Sequence, residues 1–361
     1  MIQVATVSKD FKEIIISDGF RSNVRCCVNQ KRHLLGLFPK CSRNTTERYR
    51  FVQCSGALTY LPRPMQAASF WAQLSWKPKS YWREIELLDC RDGKVLLLAG
   101  NTNRSRDFVI YYVQLRTNQY RQLPRLTLLD ESDIRLVSAA FIPDDKSHQF
   151  RVIVLARRGE ADTKIKPEAR AVETSVVCFT SSTGKWENPV TTWFEVPAKN
   201  MLGLGSVLVE NKLCFLEKCR RVITVDITSL ELGTIVLPKV KNIGSKTSHV
   251  LTRGPRSKKL YLAIVSQRCI AVYSHDGKDW VQNLLHPGPG HTKSVALKLI
   301  GSTDITGLIL VKADGRVIYK MEVETGLFYQ IDDNVPEEEA LPFELEYPPV
   351  SQMLLRQKNA H

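Results

Sequence analysis

Short apolar runs, each introduced by a polar turn, recur along this chain, and in its C-terminal half they recur with nearly fixed spacing. Glu210-Asn211-Lys212-Leu213-Cys214-Phe215-Leu216, Ser257-Lys258-Lys259-Leu260-Tyr261-Leu262-Ala263 and Thr306-Gly307-Leu308-Ile309-Leu310-Val311 each pair a turn with a run that reads as a buried strand. From Asn211, Lys258 and Gly307 it is 18 residues to a second polar turn, at Ser229, Asp276 and Thr325. Each second turn follows another apolar run: Val222 to Val225, Cys269 to Tyr273, and Val317 to Met321. The period is 47 and then 49 residues. A self-similar unit of that length, built of short strands without helical periodicity, predicts an all-β ring in which each unit buries its faces against its neighbours, a β-propeller.

Weaker copies lie upstream. Asp92-Gly93-Lys94 followed by Val95 to Leu98, then Phe108 to Val113 and the turn at Thr117-Asn118, form one unit. Phe150 to Leu155, Thr174 to Phe179 and Ser182-Thr183-Gly184-Lys185-Trp186 form another, widened by the loop from Arg157 to Arg170. Arg48 to Cys54 with Ser55-Gly56 supplies a first. The turns at Ser55, Thr117, Thr183, Ser229, Asp276 and Thr325 predict about six four-stranded blades. Aromatic or leucine residues followed by proline close several units, at Leu61-Pro62, Leu123-Pro124, Trp186 ahead of Pro189, and Leu237-Pro238. Proline lacks a ladder donor, so each is expected to end an outer strand. Trp186 and Trp280 fall in equivalent slots and are expected to pack between blades. The alternating segment Leu341 to Tyr347 is expected to pair with the first blade and close the ring.

Composition narrows the class. A hydrophobic share of 43% with 24% charged residues is that of a globular protein, and no run approaches the length of a membrane-spanning helix. Residues 1–10 lack the pattern of a secretory signal, so the expected compartment is cytosol, nucleus or both. Nine cysteines without a C-x-x-C pair predict buried small hydrophobes in a reducing compartment. The net charge is +14; residues 332–361 hold seven acids, so residues 1–331 carry 49 basic and 30 acidic side chains. An acidic or polyanionic partner is favoured. The basic stretch 21–50 lacks the interleaved aromatics of a stacking platform, which argues against nucleic acid. Trp71, Trp76 and Trp82 form the densest aromatic stretch and are read as packing of the early blades.

The order D-G-K plus apolar run, apolar strand, T-G-x-W or T-N-x-Y, then Leu-Pro resembles the F-box-associated, kelch-like β-propeller of plant F-box proteins. It is carried by Asp92-Gly93-Lys94, Phe108 to Pro124, Ser182 to Trp186, Asn211 to Leu216 and Thr325-Gly326. The resemblance implies a propeller over residues 35–350, preceded by a leading segment 1–34 and followed by a tail 351–361. It further implies capture of a protein target on behalf of a cullin-based ubiquitin ligase. Residues 1–34 do not show the Leu-Pro and acidic, leucine-rich helix with which an F-box opens; Ser17-Asp18-Gly19-Phe20 is read as the remnant of one or as an unrelated first strand. A free-standing propeller scaffold is the first alternative. An oxidase of the kelch type is the second, and it would need a copper-binding set of tyrosines and histidines that the sequence does not assemble.

No P-loop, H-E-x-x-H, G-x-S-x-G or EF-hand loop occurs, so the expectation is a non-catalytic chain with no cofactor and no metal. Gly203-Leu204-Gly205-Ser206 is read as an inter-blade turn, and His286-Pro287-Gly288-Pro289-Gly290-His291 as a rigid loop. One pattern points outward. If the strand after each D-G-K-like turn is second in its blade, the loops that follow share one face of the ring. They hold Arg104, Arg106, Arg157, Arg158, Lys218, Arg220, Arg268 and Arg316. The expected site is a positive rim that takes an acidic or phosphorylated segment of a protein target.

Overall fold

The computed structural model describes residues 33–39, 52–53, 84–91, 94–100, 109–114, 119–126, 134–143, 149–158, 170–196, 202–217, 221–238, 247–266, 269–288, 296–303, 306–313, 317–331 and 340–345. All regular elements among them are strands. The first two are β1 (His33–Pro39) and β2 (Val52–Gln53). Blade 1 is β3 (Glu84–Arg91), β4 (Lys94–Gly100), β5 (Val109–Gln114) and β6 (Gln119–Gln122). Blade 2 is β7 (Ile134–Pro143), β8 (Phe150–Arg158) and β9 (Arg170–Thr180), with β10 (Lys185–Trp186) and β11 (Val190–Val196) side by side along β9 as its outer level. Blade 3 is β12 (Leu202–Val209), β13 (Lys212–Glu217), β14 (Arg221–Asp226) and β15 (Leu232–Val236). Blade 4 is β16 (Thr247–Arg253), β17 (Leu260–Ser266), β18 (Ile270–His275) and β19 (Trp280–His286). Blade 5 is β20 (Leu297–Ser302), β21 (Leu308–Ala313), β22 (Val317–Glu322) and β23 (Phe328–Ile331).

The last strand, β24 (Ala340–Leu345), pairs antiparallel with β1, and β1 with β2, in a three-stranded sheet that joins the two ends of the propeller. The innermost strands touch in sequence, β3 to β7, β7 to β12, β12 to β16, β16 to β20, β20 to β24, and β24 back to β3. The ring is therefore closed by the C-terminal strand, as the alternation of Leu341 to Tyr347 predicts. The expectation of about six four-stranded blades holds in class and not in count. The described residues form five four-level blades, and the unit expected at Arg48 to Ser55 contributes β2 to the shared sheet instead.

Burial on both faces explains why the central strands read as unbroken apolar runs. In each of them alternate residues point to the preceding and to the following blade, so neither face meets water. On β17, Leu260, Leu262 and Ile264 pack against blade 3 with Leu216 and Val222, whereas Tyr261, Ala263 and Val265 pack against blade 5 with Ile309 and Val311. Between blades 1 and 2 the filling is aromatic: Tyr112 stacks on Phe150 at 4.4 Å, Phe150 on Phe141 at 5.2 Å, and Phe179 meets Trp186 at 5.3 Å. Each buried side chain of this size contributes about 1.5–3 kcal/mol, and no blade retains that contribution without its neighbours.

The repeated polar turns share one chemistry. Thr183, Ser229, Asp276 and Thr325 each accept, on a side-chain oxygen, the amide two residues ahead, at 3.0 to 3.3 Å. The residue after each takes a left-handed backbone: Gly184, Leu230, Gly277 and Gly326. Side-chain oxygens that mimic a backbone turn are what Asp, Ser and Thr supply at such positions. Trp186 and Trp280 then donate their indole N–H groups to the preceding blade, to the carbonyls of Pro124 and Val236, each at 2.8 Å. Their equivalent slots thus have one role, stitching outer strands together.

Two expectations are corrected. Gly203-Leu204-Gly205-Ser206 is not an inter-blade turn; it lies inside β12, where the register with β13 shifts between Leu202 and Ser206. Glycines mark such a bulge because it needs room for close backbone approach at the crowded axis. Pro189 does not end the outer level of blade 2 either. The chain resumes at Val190 and pairs with β9 from Val176 to Arg170. The proline interrupts that edge without a lost ladder bond, since edge strands tolerate it.

Candidate partner-binding surface

The strand after each D-G-K-like turn is second in its blade, as the rim hypothesis requires: β4, β13, β17 and β21. In an antiparallel blade the links from second to third strand leave from one end, so they share a face of the ring. Arg104 and Arg106 belong to the link between β4 and β5, Lys218 and Arg220 to β13–β14, Arg268 to β17–β18, and Arg316 to β21–β22. Those six residues lie outside the described residues, as do Trp71, Trp76, Trp82, His291, segment 1–32 and the tail 351–361.

Arg157 and Arg158 are described, and the fold separates them. Both belong to β8 rather than to a loop. Consecutive strand residues point to opposite faces, so Arg157 turns toward blade 3 and Arg158 toward blade 1. Arg157 is buried and reaches Glu217 Oε1 at 2.8 Å, while Arg221 Nε donates to Glu217 Oε2 at 2.5 Å. Glu217 has no exposed surface. A buried carboxylate between two guanidiniums thus pins blade 2 to blade 3 directly beneath the loop face. Arg157 is accordingly removed from the rim: its charge is spent inside. Arg158 remains outside, 41% exposed at its side chain, with Nη1 donating to Glu173 Oε2 at 2.8 Å.

Glu173 leads to a residue the sequence reading missed. β9 and β11 run on past the end of β8, pairing Arg170 with Val196 and Glu173 with Trp193. Arg158, Glu173 and Trp193 stand in one row across three strands, on the side of blade 2 that faces blade 1. Trp193 is 65% exposed, among the most open large apolar side chains described. Its neighbour Thr191 on the same face shares a 3.0 Å hydrogen bond with Ser175. The only signal for it in the sequence is the strand-like Val190-Thr191-Thr192-Trp193-Phe194; nothing there distinguishes an outward tryptophan from a packed one.

Toward the opposite face, a polar group links inner strands of three blades. Asp89 Oδ2 accepts the Phe141 amide at 2.7 Å and lies 3.3 Å from Arg91 Nε, and Arg91 Nη2 donates to the Ser206 hydroxyl at 2.7 Å and also to the Ser206 carbonyl. Asp89 and Arg91 come from blade 1, Phe141 from blade 2 and Ser206 from blade 3, so a buried polar strut crosses between inner strands. The Arg91–Ser206 contact joins blade 1 to blade 3, past blade 2, which a linear sequence does not announce.

Other candidate chemistry resolves into structure. Burial pushes the Cys178 thiol up to about 11, with Glu187 adding to the effect, and raises that of Cys214 to about 12. Both are buried, as expected of cysteines used as small hydrophobes. His286 accepts the Gly288 amide at 3.0 Å and packs on Phe328 at 4.7 Å, which makes the start of its Pro-Gly segment a rigid connector. Among the described residues no group of three or more His, Cys, Asp or Glu could hold a metal, and no helix is long and apolar enough to cross a membrane.

Comparison with known proteins places this geometry. The profile of the family described as F-box protein AT5G49610-like, beta-propeller, matches residues 86–284, more than half of the chain. A search of curated proteins finds no match. Among solved structures, the chain is similar to an oligogalacturonate lyase in complex with manganese, at 11% identity and a TM-score of 0.38, with 66% of this chain and 62% of that one covered. It is similar to the Dos1 propeller at 12% identity and a TM-score of 0.40, covering 72% and 62%. A chain in the mitotic checkpoint complex matches at 10% identity and a TM-score of 0.39, covering 69% and 64%. The chain thus spans 62% of the length of the first two.

Proposed function

From a chain that belongs to the F-box protein AT5G49610-like β-propeller family, we propose a non-catalytic recognition ring that captures an acidic or phosphorylated segment of a protein target. Its context is a cullin-based ubiquitin ligase in the cytosol or nucleus, with the propeller as the target-holding part. The observation that carries the reading is architectural. In the closed ring β4, β13, β17 and β21 are second strands that end toward one face, the segments that follow them in sequence carry Arg104, Arg106, Lys218, Arg220, Arg268 and Arg316, and loops on a rigid scaffold are where such folds meet partners. The excess of 49 basic over 30 acidic side chains in residues 1–331 favours an acidic partner by steering and by charge-assisted hydrogen bonds. The protonated thiols of the buried Cys178 and Cys214 favour a binding role over thiol chemistry.

The test is affinity purification of the intact chain beside the variant Arg104→Glu/Arg106→Glu/Arg158→Glu, read by mass spectrometry. Arg157 stays unchanged because it is internal. Loss of an acidic or phosphorylated target from the variant, with cullin-complex subunits in both samples, is the expected result. Unchanged capture by the variant would overturn the basic rim, and a target held without any cullin subunit would overturn the ligase context.

A further inference from the structure

The row Arg158–Glu173–Trp193 is a surface with a reading frame of its own. It lies where β9 and β11 continue for several residues beyond the last residue of β8. A tryptophan that adds nothing to the core stands 65% exposed on that extension. A large aromatic at such a place costs solubility and contributes no packing, whereas Trp and Arg are the residues most enriched where a few side chains carry most of a binding energy. Trp193 and Arg158 flank Glu173 within that row, and Glu173 holds the Arg158 guanidinium at 2.8 Å in a fixed direction. A guanidinium offers five donors, and an oriented one gives up less freedom when a carboxylate arrives.

Geometry sets the spacing of what fits. Arg158 and Trp193 are two strand-to-strand steps apart, about 10 Å at roughly 4.8 Å per step, and an extended peptide of the polyproline II type covers that distance in about three residues at roughly 3.1 Å each, which returns the third side chain to the same face. We infer that this row docks an extended segment of a protein partner bearing an acidic residue for Arg158 and an apolar residue three positions away for Trp193. Charge favours the acidic residue in that segment: the chain carries a net charge of +14. The inference rests on the reading of the ring as a protein-recognition module, and it deepens that reading by naming the anchor and the motif.

A displayed library of short random peptides, selected on the purified full chain, tests it. Enrichment of an acidic residue three positions from an apolar one is expected, and the enriched peptide should bind Trp193→Ala about thirtyfold more weakly, the scale of a central anchor residue. Because that loss could come from a distorted edge, Arg158→Glu supplies a second readout: selection on this variant should replace the acidic preference with a basic one, which damage to the fold would not do. Selected peptides that bind Trp193→Ala as tightly as wild type, or that keep their acidic residue on Arg158→Glu, would overturn the row. So would a concentration-dependent dimer of the chain that Trp193→Ala abolishes, since the occupant would then be a second copy. Target capture lost on reversing Arg104 and Arg106 but retained by Trp193→Ala would refute this inference and leave the recognition reading intact.

Discussion

Replacing Glu217 by glutamine keeps the shape of the side chain between blades 2 and 3 and deletes its charge. Glu217 has no exposed surface, and its two oxygens stand 2.8 Å from Arg157 and 2.5 Å from Arg221. At an effective dielectric of about 20, each contact is worth roughly 6 kcal/mol before desolvation, and most of that is cancelled by taking three charges out of water. What does not cancel in the variant is the Arg157 guanidinium, left buried without a counter-charge. Removal of one partner of a buried pair costs about 3–5 kcal/mol, and we place Glu217→Gln near 3 because Arg221 is partly exposed and can turn to water. Urea unfolding followed by tryptophan fluorescence reads the loss. With a slope of about 3 kcal/mol per molar for a chain of this size, the midpoint should fall by roughly 1 M with the slope unchanged. The pair Arg157→Met with Glu217→Leu should recover at least about 2 kcal/mol of the deficit, because neither buried side chain is then charged. A midpoint within about 0.2 M of wild type for Glu217→Gln would refute the argument that this carboxylate holds the two blades.

Other positions carry expectations of different size. Trp280→Phe deletes the 2.8 Å bond to the Val236 carbonyl and keeps a ring against His275; it should cost about 1 kcal/mol in the same urea assay, and no change would mean that the stitch is idle. Gly307 has φ +66, and a methyl group there would meet Pro255 Cδ at 2.5 Å and the Arg253 carbonyl at 2.8 Å; Gly184 has φ +67 and open space. Gly307→Ala should therefore cost roughly 2–4 kcal/mol and Gly184→Ala about 1–2, and equal losses in thermal or urea melts would contradict the steric account. With thiols near 11 and 12, only about one part in a thousand or less of Cys178 and Cys214 is thiolate at pH 8, so iodoacetamide should leave both unmodified in the folded chain and label them in urea. Peptide mass spectrometry that found either labelled at native rates would refute it.

The ring was legible in the chain because its blades were spelled by local rules. Turn oxygens at Thr183, Ser229, Asp276 and Thr325, followed by a left-handed residue and an aromatic or leucine, recur at intervals of 46, 47 and 49 residues, and each is satisfied by atoms within two or three residues. Strands buried on both faces announce themselves as apolar runs, and the closing strand as alternation. The same rules made Pro189 look like a strand end and Gly203 to Ser206 look like a turn, because bulges use the residues that turns use.

By itself, then, the order of residues determined the fold class, the place of the second strand in each blade, the equivalence of Trp186 with Trp280, and the presence of basic residues after β4, β13, β17 and β21. Only the tertiary structure decided which charges face outward. Arg157 and Arg158 are adjacent in sequence, yet strand alternation sends one to Glu217 in the interior and leaves the other beside Glu173 at the surface. The strut from Arg91 to Ser206, the buried Glu217 and the open Trp193 likewise depend on which strands the closed ring brings together and which it leaves uncovered. Local hydrogen bonding and hydrophobic period are written residue by residue, whereas burial and charge pairing belong to surfaces that exist only once the ring has closed.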